Sequence, residues 1–225
     1  MQTIVLSLGG SLVNPGTPDS QYVLSLIRLL RASKYKFGIV VGGGKLARLW
    51  AEAARKKGAN EFEADEVAIK ATKKNAQFVI DHLKKDVNKK VCDTFDEARL
   101  SAKKHRFTVM GGTIPGITTD SDAVLLAECL SATRVINLSN IDAVYSDNPV
   151  RNPDAKKFHK MNYAQMIDLA GKNDMRTAGT HFVFDFLACK LICRSKIEAH
   201  FVHGKNFLDV RKAIDGRQHG GTVVK

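Results

Sequence analysis

No two cysteines in this chain stand at C-x-x-C spacing, and no histidine or third cysteine completes a metal set around Cys189 and Cys193. That spacing favours thiols over a metal site, and Cys92, Cys129, Cys189 and Cys193 read as buried thiols of a reducing compartment, the cytoplasm. No stretch reaches the roughly 18 uncharged apolar residues of a membrane span. The N-terminus (MQTIVLSLGGS) lacks a basic leader and enters a strand at once, so it is not expected to be a signal peptide. Absent too are internal repeats, low-complexity linkers and any evident Ser-His-Asp or Cys-His arrangement. Basic residues come in pairs such as Lys73-Lys74 and Lys103-Lys104, never in one block interleaved with aromatics. The net charge of +12 (35 Lys and Arg against 23 Asp and Glu) thus argues for solvated helix faces and small anionic partners rather than a dedicated nucleic-acid surface.

What is present is glycine in the right places. Phe37 to Val41 reads as a short buried strand, followed by Gly42-Gly43-Gly44 and the first turn of a helix carrying Lys45 and Arg48. Glycines there admit positive φ and close approach of a ligand to the main chain. The free N–H groups at the helix start suit an anion. The spacing matches neither G-x-x-x-x-G-K-[ST] nor G-x-G-x-x-G.

Two further strand ends carry the same device. Residues 2–8 form a strand ending in Gly9-Gly10-Ser11, and residues 106–110 form one ending in Gly111-Gly112-Thr113-Ile114-Pro115-Gly116-Ile117-Thr118-Thr119-Asp120. Between and beyond them, helices are expected over 20–33 (capped by Asp19 or Ser20), from the triple glycine to Lys57, over 61–85, from 94, over 121–131, 163–170, 180–194 and 207–214. Further strands are expected at 36–41, weakly at 90–92, and at 133–138, 197–202 and 220–224. Alternation of strand and helix over 225 residues predicts one domain with a mainly parallel sheet covered on both faces. Ligands of such sheets gather outside the carboxyl ends of the strands, so three anion-ready turns facing one site suit phosphoryl groups, whose transfer asks mainly for positioning and positive charge.

Taken in order, Leu6-Ser7-Leu8-Gly9-Gly10-Ser11, Val40 to Arg48, Ala71-Thr72-Lys73-Lys74-Asn75-Ala76, Val109 to Asp120, Asn140 to Tyr145 and Phe184 to Lys190 resemble the amino acid kinase superfamily, and within it the uridylate kinases of archaeal type. The resemblance covers essentially the whole chain. It implies a three-layer α/β/α sandwich, transfer of the ATP γ-phosphoryl group to UMP, Mg²⁺, and a homohexamer. About 1–130 would bind UMP and about 131–225 ATP. Gly9, Gly10, Ser11, Gly44 and Arg48 would meet the ATP phosphates, with Ser139, Asn140, Tyr145 and Asn148 holding adenosine. Gly43, Asp65, Thr113, Ile114, Pro115, Gly116, Ile117, Thr118 and Thr119 would bind UMP. Asp185 would orient a catalytic lysine, and helix capping is its alternative role.

Three departures stand out. Ser7 occupies the place of a lysine in bacterial relatives, which makes Lys45 the candidate catalytic cation with Arg48 beside it. Asn148, with Asp147 just ahead, stands where an aspartate usually precedes proline, and Ala68 stands where glycine is common. The alternatives are another small-molecule phosphate kinase of the same superfamily, such as an isopentenyl phosphate kinase, and a nucleotide-binding regulator without turnover. The first would require an apolar acceptor pocket and a histidine beside it.

Overall fold

Strand β1 (Thr3–Leu8) shows why the molecule has layers. Its side chains alternate: Ile4, Leu6 and Leu8 pack with Leu26, Leu30, Val79 and Leu83 on one face of the sheet. Val5 packs with Ala123, Leu126 and Ile192 on the other. A strand buried on both faces needs helices on both sides, and the computed structural model provides them. It describes residues 1–149, 152–173 and 184–225.

In chain order after β1 come α1 (Gly10–Val13), α2 (Ser20–Arg31), β2 (Lys36–Val41), α3 (Gly44–Lys56) and α4 (Glu61–Leu83). Next are α5 (Phe95–Lys104), β3 (Phe107–Met110), α6 (Thr119–Cys129) and β4 (Arg134–Ser139). The short strands β5 (Val144–Tyr145), β6 (Lys157–Phe158) and β7 (Lys160–Met161) precede α7 (Tyr163–Asn173) and α8 (Phe186–Ser195). The described chain ends with β8 (Glu198–His203), α9 (Phe207–Ile214) and β9 (Thr222–Val224). Seven strands form one sheet in the order β3-β2-β1-β4-β8-β9-β7. All neighbours are parallel except β8 and β9. The three-layer α/β/α sandwich expected above is the fold.

Caps set the helix starts. Asn60 and Glu63 form a reciprocal capping box at α4, Asn60 accepting from the Glu63 N–H at 3.0 Å and Glu63 from the Asn60 N–H at 2.8 Å. Asp19, not Ser20, caps α2, accepting from the Tyr22 N–H. Thr118 caps α6 through the N–H groups of Asp120 and Ser121.

Several expectations need correction. The glycine turn expected at 9–11 opens the single turn of α1, because the Asn14 N–H reaches back to the Gly10 carbonyl. Residues 90–92 make only an isolated bridge at Cys92. Helix α6 starts at Thr119, earlier than 121, since the Thr118 hydroxyl is its cap. Helix α7 extends to Asn173, past 170. Helix α8 starts at Phe186, capped by Asp185, and the expected residues 180–183 of that helix lie outside the described ones. Cys92 and Cys189 are buried, but Cys129 and Cys193 are only half-buried, each standing at a helix edge rather than in the core.

One half-buried cation ties the N-terminal half together. Arg106, just before β3, donates to the carbonyls of Leu30 (3.1 Å), Arg31 (3.3 Å), Tyr35 (3.0 Å) and Ser33, closing the C-terminus of α2. Carbonyls in the last turn of a helix lack their usual donors from the next turn. Arg106→Met is expected to destabilise the protein by about 2 kcal/mol, read as a lower urea midpoint at unchanged m-value. An unchanged midpoint would mean that water replaces the guanidinium without cost.

Candidate active site

Strands β1, β2 and β3 run parallel and end together, so the three glycine turns meet at one edge of the sheet. The Gly42 N–H donates to the Leu8 carbonyl at 2.9 Å and the Gly9 N–H to the Leu138 carbonyl at 2.8 Å. These two bonds close the turns onto their neighbours. The first-turn N–H groups of α3, beyond them, are those a helix leaves unpaired, whereas in α1 the Leu12 N–H already donates to the Gly9 carbonyl at 2.9 Å.

The first two turns interlock backbone against backbone. A Cβ on Gly10 would overlap the Gly42 carbonyl oxygen, and Gly44 has φ +59° with no room for a side chain beside Gly10. Helix α4 holds them from one side. The buried Asn75 amide donates to the carbonyls of Gly42 (2.9 Å) and Gly43 (3.2 Å). One turn earlier, the Thr72 hydroxyl accepts from the Gly112 N–H at 2.7 Å. Thus Thr72 and Asn75, three apart on one helix face, clamp the second and third turns.

Beneath the turns lies a group of carboxylates. Asp120, in the first turn of α6, accepts from the Ser7 hydroxyl at 2.6 Å and the Asn137 amide at 3.3 Å. Desolvation pushes its carboxyl up to about 7, and nearby Asp185 adds to the rise. Asp122, buried on the same helix, accepts from the Thr113 hydroxyl (2.6 Å) and N–H (3.1 Å). Burial again lifts its carboxyl, to about 6. Asp185 accepts from the Ala188 N–H (3.0 Å), the Ser121 hydroxyl (3.0 Å) and the Thr118 hydroxyl. It therefore both caps α8 and ties that helix to the third glycine loop.

A cleft of about 1130 Å³ opens beside these groups, between the start of α4, the loop 112–119 and the start of α8. Of the residues expected to bind UMP, Asp65, Pro115, Gly116, Ile117, Thr118 and Thr119 line it. Asp65 accepts from the Gly116 N–H at 2.8 Å and so pins the loop to α4. Gly43, Thr113 and Ile114 lie outside the lining: Gly43 faces Ala47 and Thr72, Thr113 is held by Asp122, and Ile114 is exposed at the loop tip. Ala68 also lines the cleft. No histidine among the described residues does.

The residues expected around ATP stand at the adjoining edge. The Asn140 amide donates to the Ser11 hydroxyl at 3.1 Å, joining the first turn to the end of β4. The Ser139 hydroxyl accepts from the Ile141 N–H at 3.1 Å. The Tyr145 hydroxyl donates to Asp142, which also takes the Lys157 ammonium at 2.6 Å. In the departed turn it is Asp147 that braces the chain, accepting from the Asn148 N–H (2.7 Å) and the Asn152 amide (2.9 Å). Lys45 and Arg48 are exposed on α3, outside the cleft lining; the Lys45 ammonium lies beside Gly16.

Ser7, Thr72, Asn75, Asp120 and Asp122 are not among the sequence-based candidates. One signal exists for the α4 pair: two polar residues three apart among Ala71, Ala76 and Val79 on a face that is otherwise apolar.

Glycine turns, hydroxyls and helix starts gathered at one sheet edge beside a nucleotide-sized cleft define an α/β protein built to handle phosphoryl groups. The amino acid kinase family model matches residues 2–203, and this chain belongs to that family. Similar curated proteins are the uridylate kinases of Pyrococcus abyssi (38% identical over 222 residues, 98% of each chain) and Methanocaldococcus jannaschii (39% over 228 residues, 99% of each). The crystal structure of uridylate kinase from Archaeoglobus fulgidus matches with a TM-score of 0.89 and 37% identity, covering 100% of both chains. A UMP kinase structure from Bacillus anthracis shares the fold at 20% identity, with a TM-score of 0.83.

Proposed function

We propose that this protein is a UMP kinase, transferring the γ-phosphoryl group of ATP to UMP to give UDP and ADP. The observation that carries the proposal is the interlocked pair of turns, 9–11 and 42–44, set beside the cleft lined by Asp65 and the loop 115–119. UMP would occupy that cleft, the Asp65 carboxylate meeting ribose hydroxyls and the Thr118 and Thr119 hydroxyls meeting phosphate. ATP would lie along Gly9, Gly10, Ser11 and Gly44, with Ser139, Asn140, Tyr145 and Asn148 around adenosine. On this assignment adenosine lies on the β4 side of the sheet and UMP towards β3, with the ATP phosphates between them over the turns that follow β1 and β2.

A phosphate oxygen of UMP attacks the γ-phosphorus as an anion, so no general base is required, and the bond to the ADP oxygen breaks in line. Backbone N–H groups of the turns, with Lys45 and Arg48 from α3, offset the charge on the moving group. Mg²⁺ would enter as MgATP, held mainly by substrate phosphates and water. Among the described residues no three His, Cys, Asp or Glu side chains converge into a metal site.

A cytoplasmic location and a homohexamer belong to the same proposal. No helix among the described residues is long and apolar enough to cross a membrane. Leu49, 52% exposed on α3, is apolar surface open to a second copy.

ADP formation from MgATP with UMP, CMP, dUMP and isopentenyl phosphate offered separately tests the reading. Strong turnover with UMP is expected. Turnover with isopentenyl phosphate in its place would discard the acceptor assignment, and ATP binding without turnover on any acceptor would make the protein a regulator.

A further inference from the structure

An anionic acceptor must meet positive charge somewhere in the cleft, yet three of the side chains lining it are acids: Glu61, Asp65 and Asp185. All three are already engaged: Glu61 takes both arms of the Arg55 guanidinium, at 2.9 and 2.7 Å. Asp65 takes the Gly116 N–H, and Asp185 takes the Thr118 and Ser121 hydroxyls and the Ala188 N–H. One basic side chain lines the cleft among the described residues: Lys190.

Its placement follows from α8. Asp185 caps that helix, and Phe186, Leu187 and Lys190 fall on one face, three and four residues apart, turned to the cleft. Cys189 and Ile192 point the other way, into the core. The Lys190 ammonium forms no ion pair with the described carboxylates; it rests 4.7 Å above the centroid of the Phe186 ring. A ring face is a weak partner for an ammonium, and a phosphate dianion is a strong one. A lysine's flexible stem lets it leave the first for the second without moving the helix. Lys45 and Arg48 approach from α3, outside the cleft lining, so they do not duplicate it.

We propose that Lys190 is the cleft's own phosphate contact, binding the monophosphate of the acceptor nucleotide and setting its affinity. This rests on the UMP kinase reading above and adds a contact residue to it. Lys190 is exposed, so neither variant below threatens the fold.

The test compares wild type, Lys190→Met and Lys190→Arg, by equilibrium binding of UMP and of uridine and by steady-state kinetics with each substrate varied. Lys190→Met is expected to weaken UMP binding and raise KM for UMP by about ten- to a hundredfold. Uridine binding, KM for ATP and the melting temperature should stay within about twofold or a degree of wild type. Lys190→Arg should recover most of the UMP affinity, because the charge is what matters. Equal weakening of UMP and uridine, or UMP binding unchanged in Lys190→Met, would overturn the assignment while leaving the kinase reading intact if wild type turns UMP over. Wild type inert toward UMP would overturn both.

Discussion

Gly44→Ala is expected to lower ADP formation from ATP and UMP by at least about a hundredfold and to destabilise the fold by about 3 kcal/mol. Two costs fall on one methyl group. Gly44 holds φ +59°, a conformation that strains any L side chain. In addition, its Cβ would stand 2.5 Å from the Gly10 carbonyl carbon and 2.6 Å from the Ser11 nitrogen. Both are backbone atoms, so no side-chain rotation relieves the overlap. The only relief is for the first two glycine turns to part, and those turns are the proposed cradle for the transferred phosphoryl. Gly58→Ala separates the two costs. Gly58 has φ +90° with nothing near its missing Cβ, and it follows α3 outside the cleft lining. It should cost about 1 kcal/mol with turnover intact. Urea unfolding and initial rates on both variants decide the matter. If Gly44→Ala behaves like Gly58→Ala, the interlock carries neither stability nor catalysis.

Local chemistry makes much of this fold legible in the sequence. The strand 36–41 and the helix 207–214 match their expected bounds to the residue, because a turn signal or a cap bounds each and an apolar pattern fills it. The glycine turns are legible because only glycine tolerates such close approach, and their common edge follows from parallel strands. What escapes is what depends on distant pairing. Strands β5 and β6, two residues each, exist only because Val144 and Tyr145 find Phe158 and Lys157 across a long loop. Asn75 grips carbonyls more than thirty residues away, and Ser7 meets Asp120 across 113 residues. No periodicity records such contacts. Asp185 reads from sequence as either a cap or a functional carboxylate, and the structure gives it both a helix N-terminus and two hydroxyls of the candidate site to hold.

Asp120→Asn is expected to leave stability unchanged near pH 4 and to raise it progressively to about 2 kcal/mol by pH 8, while phosphoryl transfer falls by about a hundredfold. Desolvation lifts the Asp120 carboxyl from an ordinary 3.8 to about 7. A raised folded-state value means that the folded form binds the extra proton. Below 3.8 both states are protonated and the site costs nothing; as pH rises toward 7 the unfolded chain ionises freely and the folded one cannot. Above that the full penalty applies, at most about 4 kcal/mol by linkage; half of it is expected, since the side chain is only part-buried. Asp122, lifted to about 6 by burial, adds a penalty of the same sign. His219 works in the opposite direction. Burial and the neighbouring His200 lower it from 6.5 to about 4, so its contribution is present above 6.5 and is lost as pH falls through 4. Wild type should therefore weaken at both ends, and Asp120→Asn should remove part of the alkaline loss alone. An amide still accepts from the Ser7 hydroxyl but carries no charge, so a gain in stability joined to a loss of turnover would mark the carboxylate as a charge held for the site at the fold's expense. Urea unfolding at pH 5 and pH 8 reads the first half, and ADP formation the second. An equal loss of stability at both pH values would show instead that Asp120 serves only as a hydrogen-bond acceptor for Ser7 and Asn137.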